Sequence, residues 1–242
     1  MVGLQMYGGS ILIDVVCLKV GLGYKAEYVN QLFKQVKKTT NVNNFICITD
    51  NPRGINPDIE TQVFEPLFDE RMWWNKVVLF EPGKFKNDTI YLDLDCYVQG
   101  DIEYFVGKGD ILHTSWFNKD VIRYIFCCSV NSSVMYINEN NYEPLWKDFN
   151  QNKMKLYKSF YGLDSWIYRR HLDHLKFFPS KKVYSYRYGA FYPEDVEPEK
   201  IRDGFLVCSF DDMVDKEIDK KVYRTALRPL ASGNISLIEA SI

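Results

Sequence analysis

The feature that most constrains this chain is the alternation of short β-branched apolar runs with stretches of helical periodicity across its first hundred residues. Ile11–Val20 (ILIDVVCLKV) is apolar almost without interruption, as expected of a strand buried on both faces. After the Gly21–Gly23 turn, Ala26–Lys38 sets Val29, Leu32, Phe33 and Val36 on one helical face. Asn43-Asn44 leads into a second strand at Phe45–Thr49, Asn51-Pro52-Arg53-Gly54 marks a turn, and Thr61–Phe64 fits a third strand. Trp73–Phe80 has helical spacing up to a stop at Pro82-Gly83, and Thr89–Leu92 is a further strand. This rhythm predicts a mostly parallel sheet with helices on both faces.

Beyond residue 100 the pattern loosens. Val130–Ile137 fits a strand, Asp164–His174 a helix, Phe177–Tyr188 an extended aromatic segment and Phe205–Phe210 a last core strand. A chain of 242 residues with 46% hydrophobic content can bury one sizeable core. The expected organisation is therefore a single domain over residues 10–212, with residues 213–242 as an appended helix and weakly patterned tail.

Thirty basic residues against 32 acidic ones give a formal net charge of −2, which offers no global attraction to a polyanion and argues against a nucleic-acid partner. The six cysteines form no CxxC pair, and most lie in apolar runs where a thiol acts as a small hydrophobe. A reducing, cytoplasmic setting is expected. No apolar run reaches the roughly 18 residues that span a bilayer, and the N-terminus lacks the basic-then-apolar pattern of a signal peptide.

The chemistry is concentrated in Ile90-Tyr91-Leu92-Asp93-Leu94-Asp95, an apolar strand that runs into two carboxylates one residue apart. In extended chain, residues i and i+2 point the same way, so Asp93 and Asp95 are expected to converge. Like charges held together repel unless a cation joins them. At the carboxyl end of a sheet strand, where α/β proteins bind ligands, Mg²⁺ or Mn²⁺ would take oxygen ligands and leave positions open for phosphate. A solvated aspartate pair at a strand end is the plain alternative.

These segments, in order, resemble the GT-A-fold glycosyltransferases, in particular small single-domain transferases, some virus-encoded, in the style of the glycogenin-type family. The resemblance is carried by Val15–Lys19 with Tyr24 and Tyr28-Val29-Asn30, by Phe45–Pro52 with its Thr49-Asp50 ending, and by Trp73-Trp74-Asn75-Lys76. Tyr91–Asp95 followed by Gly100-Asp101-Ile102, then Asn131–Met135 and Gly162–Ile167, extend it over roughly residues 12–210.

The resemblance implies a GT-A (Rossmann-like) α/β domain that uses a nucleotide-sugar donor, UDP by default, and Mn²⁺ or Mg²⁺. It implies that Val16, Lys19 and Asp50 flank the nucleotide and that Lys76 faces the phosphates or sugar. Asp95 would bind the metal, Asp93 the metal or ribose with Leu94 between them, and Asn131 and Ser132 would line the sugar side. Many relatives carry a metal-binding histidine after the last core strand; here Val207–Phe210 is followed by Asp211-Asp212, so Asp211 is the implied third ligand. The relatives' acidic helix-start motif is thinned to Gly162-Leu163-Asp164-Ser165. Asp164 is thus the candidate for handling the acceptor hydroxyl, as base or positioning group; a first-turn helix acid is its plain alternative. Virus encoding would make the location the host cytoplasm.

Other constellations are poor. His171 and His174 lack further ligands at metal spacing and read as two surface imidazoles. Gly21-Leu22-Gly23 is too short for a dinucleotide fingerprint, and no GxxxxGK[ST] or GxSxG motif occurs. A sugar nucleotidylyltransferase and a non-catalytic nucleotide- or glycan-binding module of the same fold are the competing readings. The acceptor (glycan, protein or small molecule) is left open.

Overall fold

The computed structural model describes residues 13–113, 128–138, 141–179, 182–186 and 204–210. Four parallel strands form its heart: β1 (Ile13–Lys19), β2 (Val42–Thr49), β3 (Glu60–Val63) and β4 (Thr89–Leu92). Two antiparallel strands, β6 (Ile111–His113) and β7 (Val130–Ile137), complete a six-stranded sheet of order β3-β2-β1-β4-β7-β6. A smaller sheet joins β5 (Cys96–Val98), β9 (Val207–Ser209) and β8 (Val183–Ser185) in the order β5-β9-β8. The α/β class and the mostly parallel central sheet agree with the expectation from the sequence.

Alternation along the strands builds two cores. Ile13, Val15 and Cys17 of β1 turn towards helix α1 (Ala26–Thr39), where Val29, Leu32, Phe33 and Val36 cover them as the 3.6-residue spacing requires. Val16 and, from β4, Tyr91 turn to the opposite face. There they meet the 3-10 helix Met72–Phe80 and helices α2 (Glu143–Ser159) and α3 (Leu163–Arg170), which contribute Trp74, Phe149 and Trp166. The second layer is aromatic: Trp74 stacks on Trp166 with centroids 6.0 Å apart, and Phe68 on Tyr157 at 4.3 Å.

Several elements differ from the expectation. Helix α2 was not foreseen. Only Leu145, Phe149 and Leu156 are its buried residues, and the Asn-Gln-Asn-Lys run between them dilutes the apolar stripe. The segment Met72–Phe80 is a 3-10 helix, entered through Arg71 in the left-handed region (φ 47°). The chain expected to be helical over 164–174 ends its α-helix at Arg170 and continues as a short 3-10 turn, Leu172–His174. Residues 211–242 lie outside the described residues, as does the end of the expected domain.

Candidate active site

The parallel strands β1, β2 and β4 end on one edge of the sheet, at Lys19, Thr49 and Leu92. The chain goes from β1 to β2 on one side, while β4 pairs with β1 on the other. Such a reversal of strand order opens a crevice outside the carboxyl ends, which is where ligands bind in open α/β sheets. Antiparallel β7 brings residues 131–133 to the same place: Leu92 pairs with Val134, and Asp93 N–H donates to the Ser133 carbonyl at 2.9 Å.

Asp93 lies two residues beyond Tyr91, on the side of the sheet that faces the 3-10 helix. Both of its oxygens are engaged: the Tyr91 hydroxyl donates to Oδ1, and the Lys76 ammonium stands 2.7 Å from Oδ2. Lys76 also donates to Ser132 Oγ at 3.2 Å and lies 5.5 Å from the Tyr91 ring centroid. Burial pushes the Lys76 pKa down, but the charges of Asp93, Asp164 and Asp95 outweigh it, so the ammonium is held protonated above its ordinary range. Burial, followed by the Asp93 charge, raises the Tyr91 phenol well above its ordinary value and keeps its proton on the oxygen. Tyr91 is a site residue that the sequence reading passed over as a strand residue; its i−2 spacing from Asp93 was the available signal.

The extended geometry expected through Asp95 stops at Asp93. A turn closed by Cys96 N–H on the Asp93 carbonyl (3.1 Å) carries Leu94 and Asp95 round into β5. Asp95 is nevertheless buried within electrostatic reach of Lys76, and its carbonyl accepts from Phe210 N–H at 3.1 Å. The Leu94 side chain is buried in the core layer behind the site, and Val16 lies in the interior of β1 rather than at its end. Asp211 lies outside the described residues.

Asp164, in the first turn of α3, acts electrostatically on the same lysine. Burial raises its pKa; Lys76 and hydrogen bonds from Ser132 pull it back, and the nearby Asp93 adds to the rise. Its Oδ1 is buried with no hydrogen-bond partner among the described residues. Asn131, on β7, spends its Oδ1 on Ser133 N–H at 2.9 Å, so Ser132 makes the contact to Lys76.

At the other end of the crevice, Asp50 Oδ2 accepts from Gly21 N–H at 2.8 Å and ties the β1–α1 loop to the end of β2. Its Oδ1 is buried with no partner among the described residues. Lys19 is buried, with Nζ 3.4 Å from the Asn51 carbonyl.

Three carboxylates therefore act electrostatically on one lysine, an excess of negative charge at the carboxyl edge of the sheet. Among the described residues no three His, Cys, Asp or Glu side chains are gathered closely enough to hold a metal on their own. No described helix is long and apolar enough to cross a membrane.

The two histidines require a correction. His174 is exposed, but His171 is not a surface imidazole. It is buried, and its Nε2 lies 2.9 Å from Asp148 Oδ2. Asp148 also accepts from Trp166 Nε1 at 3.0 Å, Arg170 at 2.9 Å and Asn152 at 2.9 Å. The cluster joins α2 to α3, a role hidden from the sequence because α2 itself was.

No protein-family model matches the chain. A mitochondrial 4-hydroxybenzoate polyprenyltransferase of Drosophila melanogaster is 57% identical over 35 residues, 14% of this chain and 9% of that protein. So short a stretch carries no argument about fold or activity. Solved structures are more informative. An active-site mutant of LgtC superposes with a TM-score of 0.58 at 13% identity, covering 91% of this chain and 95% of that one. The galactosyltransferase LgtC in complex with donor and acceptor sugar analogues gives 0.56 at 14% identity, covering 91% and 96%. The apo-form glycosyltransferase GlyE of Streptococcus pneumoniae gives 0.55 at 11% identity, covering 95% of this chain and 64% of that one. The chain has the GT-A glycosyltransferase fold, as its sequence motifs implied.

Proposed function

We propose that this chain is a glycosyltransferase that moves a sugar from a nucleotide-diphosphate donor, a UDP-sugar, to an acceptor hydroxyl with the help of Mn²⁺ or Mg²⁺. The observation that carries the reading is the meeting of Lys76, Asp93 and Asp164 at the carboxyl edge of the sheet, beside the reversal of strand order. The reading assigns the transferase to residues 10–212 and leaves 213–242 as an appendage.

Each side chain has a part in this reading. Asp50, with one carboxylate oxygen still to be satisfied, accepts from the uracil or ribose, and Lys19 stands beside it for the nucleotide. Lys76, held charged and oriented by Asp93, Ser132 and Tyr91, meets the phosphates or the sugar. Val16 and Leu94, which the resemblance assigns to the donor, would act on it only from the two core layers beneath, and Asn131 holds the β7 edge that presents Ser132. Asp164 receives or orients the acceptor hydroxyl, whose oxygen bonds to the anomeric carbon as the bond from that carbon to the diphosphate breaks. Asp95, with Asp93 and Asp211, would hold the ion. When bound, that ion offsets charge on the departing diphosphate. By the resemblance Asp95 would bind the ion directly, and Asp93, held by Lys76 and Tyr91, the ion or the ribose.

The test is UDP release from a panel of UDP-sugars, with and without Mn²⁺, for the wild type and Asp95→Ala. Mn²⁺-stimulated release that disappears in the variant is expected. Full activity of the variant in excess chelator would sink the role of the metal. Tight UDP binding with no turnover of any donor would instead make the chain a binding module.

A further inference from the structure

Tyr161 combines a firmly held main chain with a solvent-facing ring. Its carbonyl accepts from the Trp74 indole at 3.3 Å, the Trp73 indole at 3.4 Å and the Arg71 guanidinium at 3.3 Å. Arg71 also donates to the Phe160 carbonyl at 2.8 Å and to that of Tyr157. The end of α2 and the start of the 3-10 helix are thus stapled together. The Tyr161 side chain nonetheless leaves the residue 77% exposed, and Trp73 beside it is 41% exposed. Their rings lie 5.6 Å apart, tilted by 37°. Gly162 permits the approach: a Cβ there would stand 3.0 Å from Trp73 Nε1.

The location of this pair gives it meaning. Trp73 precedes Lys76 by three residues, one turn of a 3-10 helix, so the two share a face. Tyr161 precedes Asp164 by three residues, across the start of α3. The two rings are therefore carried by the segments that supply the lysine and the carboxylate of the site, three residues before each in the chain.

We infer that Trp73 and Tyr161 form the acceptor subsite, and that the acceptor is a saccharide whose pyranose ring lies against them. This rests on the transferase reading above. A pyranose presents a flat C–H face with hydroxyls at its rim, and the negatively charged face of an aromatic ring is its natural complement. The Trp73 ring is held by its indole hydrogen bond, and the main chain that carries the Tyr161 ring is pinned, so ordering the platform costs little conformational freedom on binding. A shallow platform with charged groups beside it also suits a hydroxyl-studded ring better than a lipid chain, which would need an enclosed apolar channel.

The experiment is saturation-transfer NMR on the full chain with methyl pyranosides, lactose, maltose and cellobiose, for the wild type, Tyr161→Ala, Tyr161→Phe and Trp73→Phe. Expected is transfer to the ring C–H protons of at least one saccharide, lost in Tyr161→Ala and retained in Tyr161→Phe. With that saccharide as acceptor, Tyr161→Ala raises the acceptor KM about tenfold or more while the donor KM stays within about twofold of wild type, as for loss of one stacking face. Because the Tyr161 ring is exposed, its truncation leaves the packing intact; Trp73→Phe keeps an aromatic face while giving up one hydrogen bond. No transfer to any saccharide, or a signal unchanged in Tyr161→Ala, overturns the inference, as does glycosylation of peptides in place of sugars. Wild-type UDP release without acceptor separates the two readings. Release without saccharide contact removes the subsite and keeps the transferase, whereas contact without release does the reverse.

Discussion

Lys76 Nζ stands 2.7 Å from Asp93 Oδ2, so a lysine from the 3-10 helix binds a carboxylate at the end of β4 across the mouth of the sheet. Their side chains are only 12% and 20% exposed, so solvent screens the pair weakly. Removing one partner of such a pair leaves the other charge buried and uncompensated. Lys76→Met is expected to destabilise the fold by about 3 kcal/mol, read from the urea midpoint. It should also lower UDP-sugar turnover about a hundredfold or more, as loss of one preorganised electrostatic contact does. Lys76→Arg, which keeps the charge but not the geometry, should recover stability before activity.

Asp164 should make the protein's stability depend on pH in an unusual direction. Its folded pKa is raised above the ordinary 3.8, chiefly by burial. Below 3.8 the carboxyl is protonated in both folded and unfolded chains and costs nothing. As pH rises through the raised value, the unfolded chain releases the proton first, and stability is lost. Asp164→Asn lacks this cost, so its stability relative to wild type should grow from pH 3.8 towards neutrality in paired urea titrations. In turnover, the acid limb of wild type should have its midpoint above 3.8, because only the ionised carboxylate takes the acceptor proton.

Asp50 makes a separable prediction at the nucleotide end. Asp50→Asn keeps an oxygen for Gly21 N–H but replaces one acceptor with a donor. If Oδ1 accepts from the uracil or ribose, calorimetric UDP affinity should fall about tenfold, the cost of roughly one hydrogen bond to a charged group. An unchanged affinity would restrict Asp50 to holding the β1–α1 loop.

The parallel half of the fold was legible because burial on both faces writes itself as continuous apolar sequence. β1 and β2 pair from Asp14↔Asn44 to Lys19↔Thr49 with no polar interruption between Phe45 and Ile48. The second half was less legible because its elements are short or one-sided. β5, β6 and β8 are three residues each, too few for a period to register. Helix α2 shows only three buried residues in seventeen, although Pro144 at its first turn and the Leu145/Phe149/Leu156 spacing could have revealed it. In the site, the strand-end aspartates and Lys76 stood out by type and spacing. The contact of Ser132 with Lys76 and the Tyr161 platform did not, since each joins segments 56 and 88 residues apart in the chain.

The Asp148–His171 pair provides the last test, and its sign is opposite to that of Asp164. Burial lowers the His171 pKa below 6.5; Asp148 pulls it up, His174 and Arg170 push it down, and the net direction is down. The native state therefore resists protonation of the ring where the unfolded chain accepts it. The stabilising contribution is complete above pH 6.5 and is lost as pH falls through the lowered folded value. Asp148 is held below its ordinary 3.8: burial raises it, but hydrogen bonds from Trp166, His171 and Asn152 and the Arg170 charge prevail, so it stays ionised throughout that window. Wild type should therefore lose stability between about pH 7 and 5 more steeply than His171→Gln, which can still donate to Asp148 but does not titrate. Asp148→Ala should cost about 2–3 kcal/mol at any pH in that window, because it strands the buried Trp166 and His171 donors. Since α3 carries Asp164 at its other end, turnover by Asp148→Ala should fall through kcat rather than donor KM. Unchanged kcat and donor KM in the folded variant would show that the cluster serves stability alone.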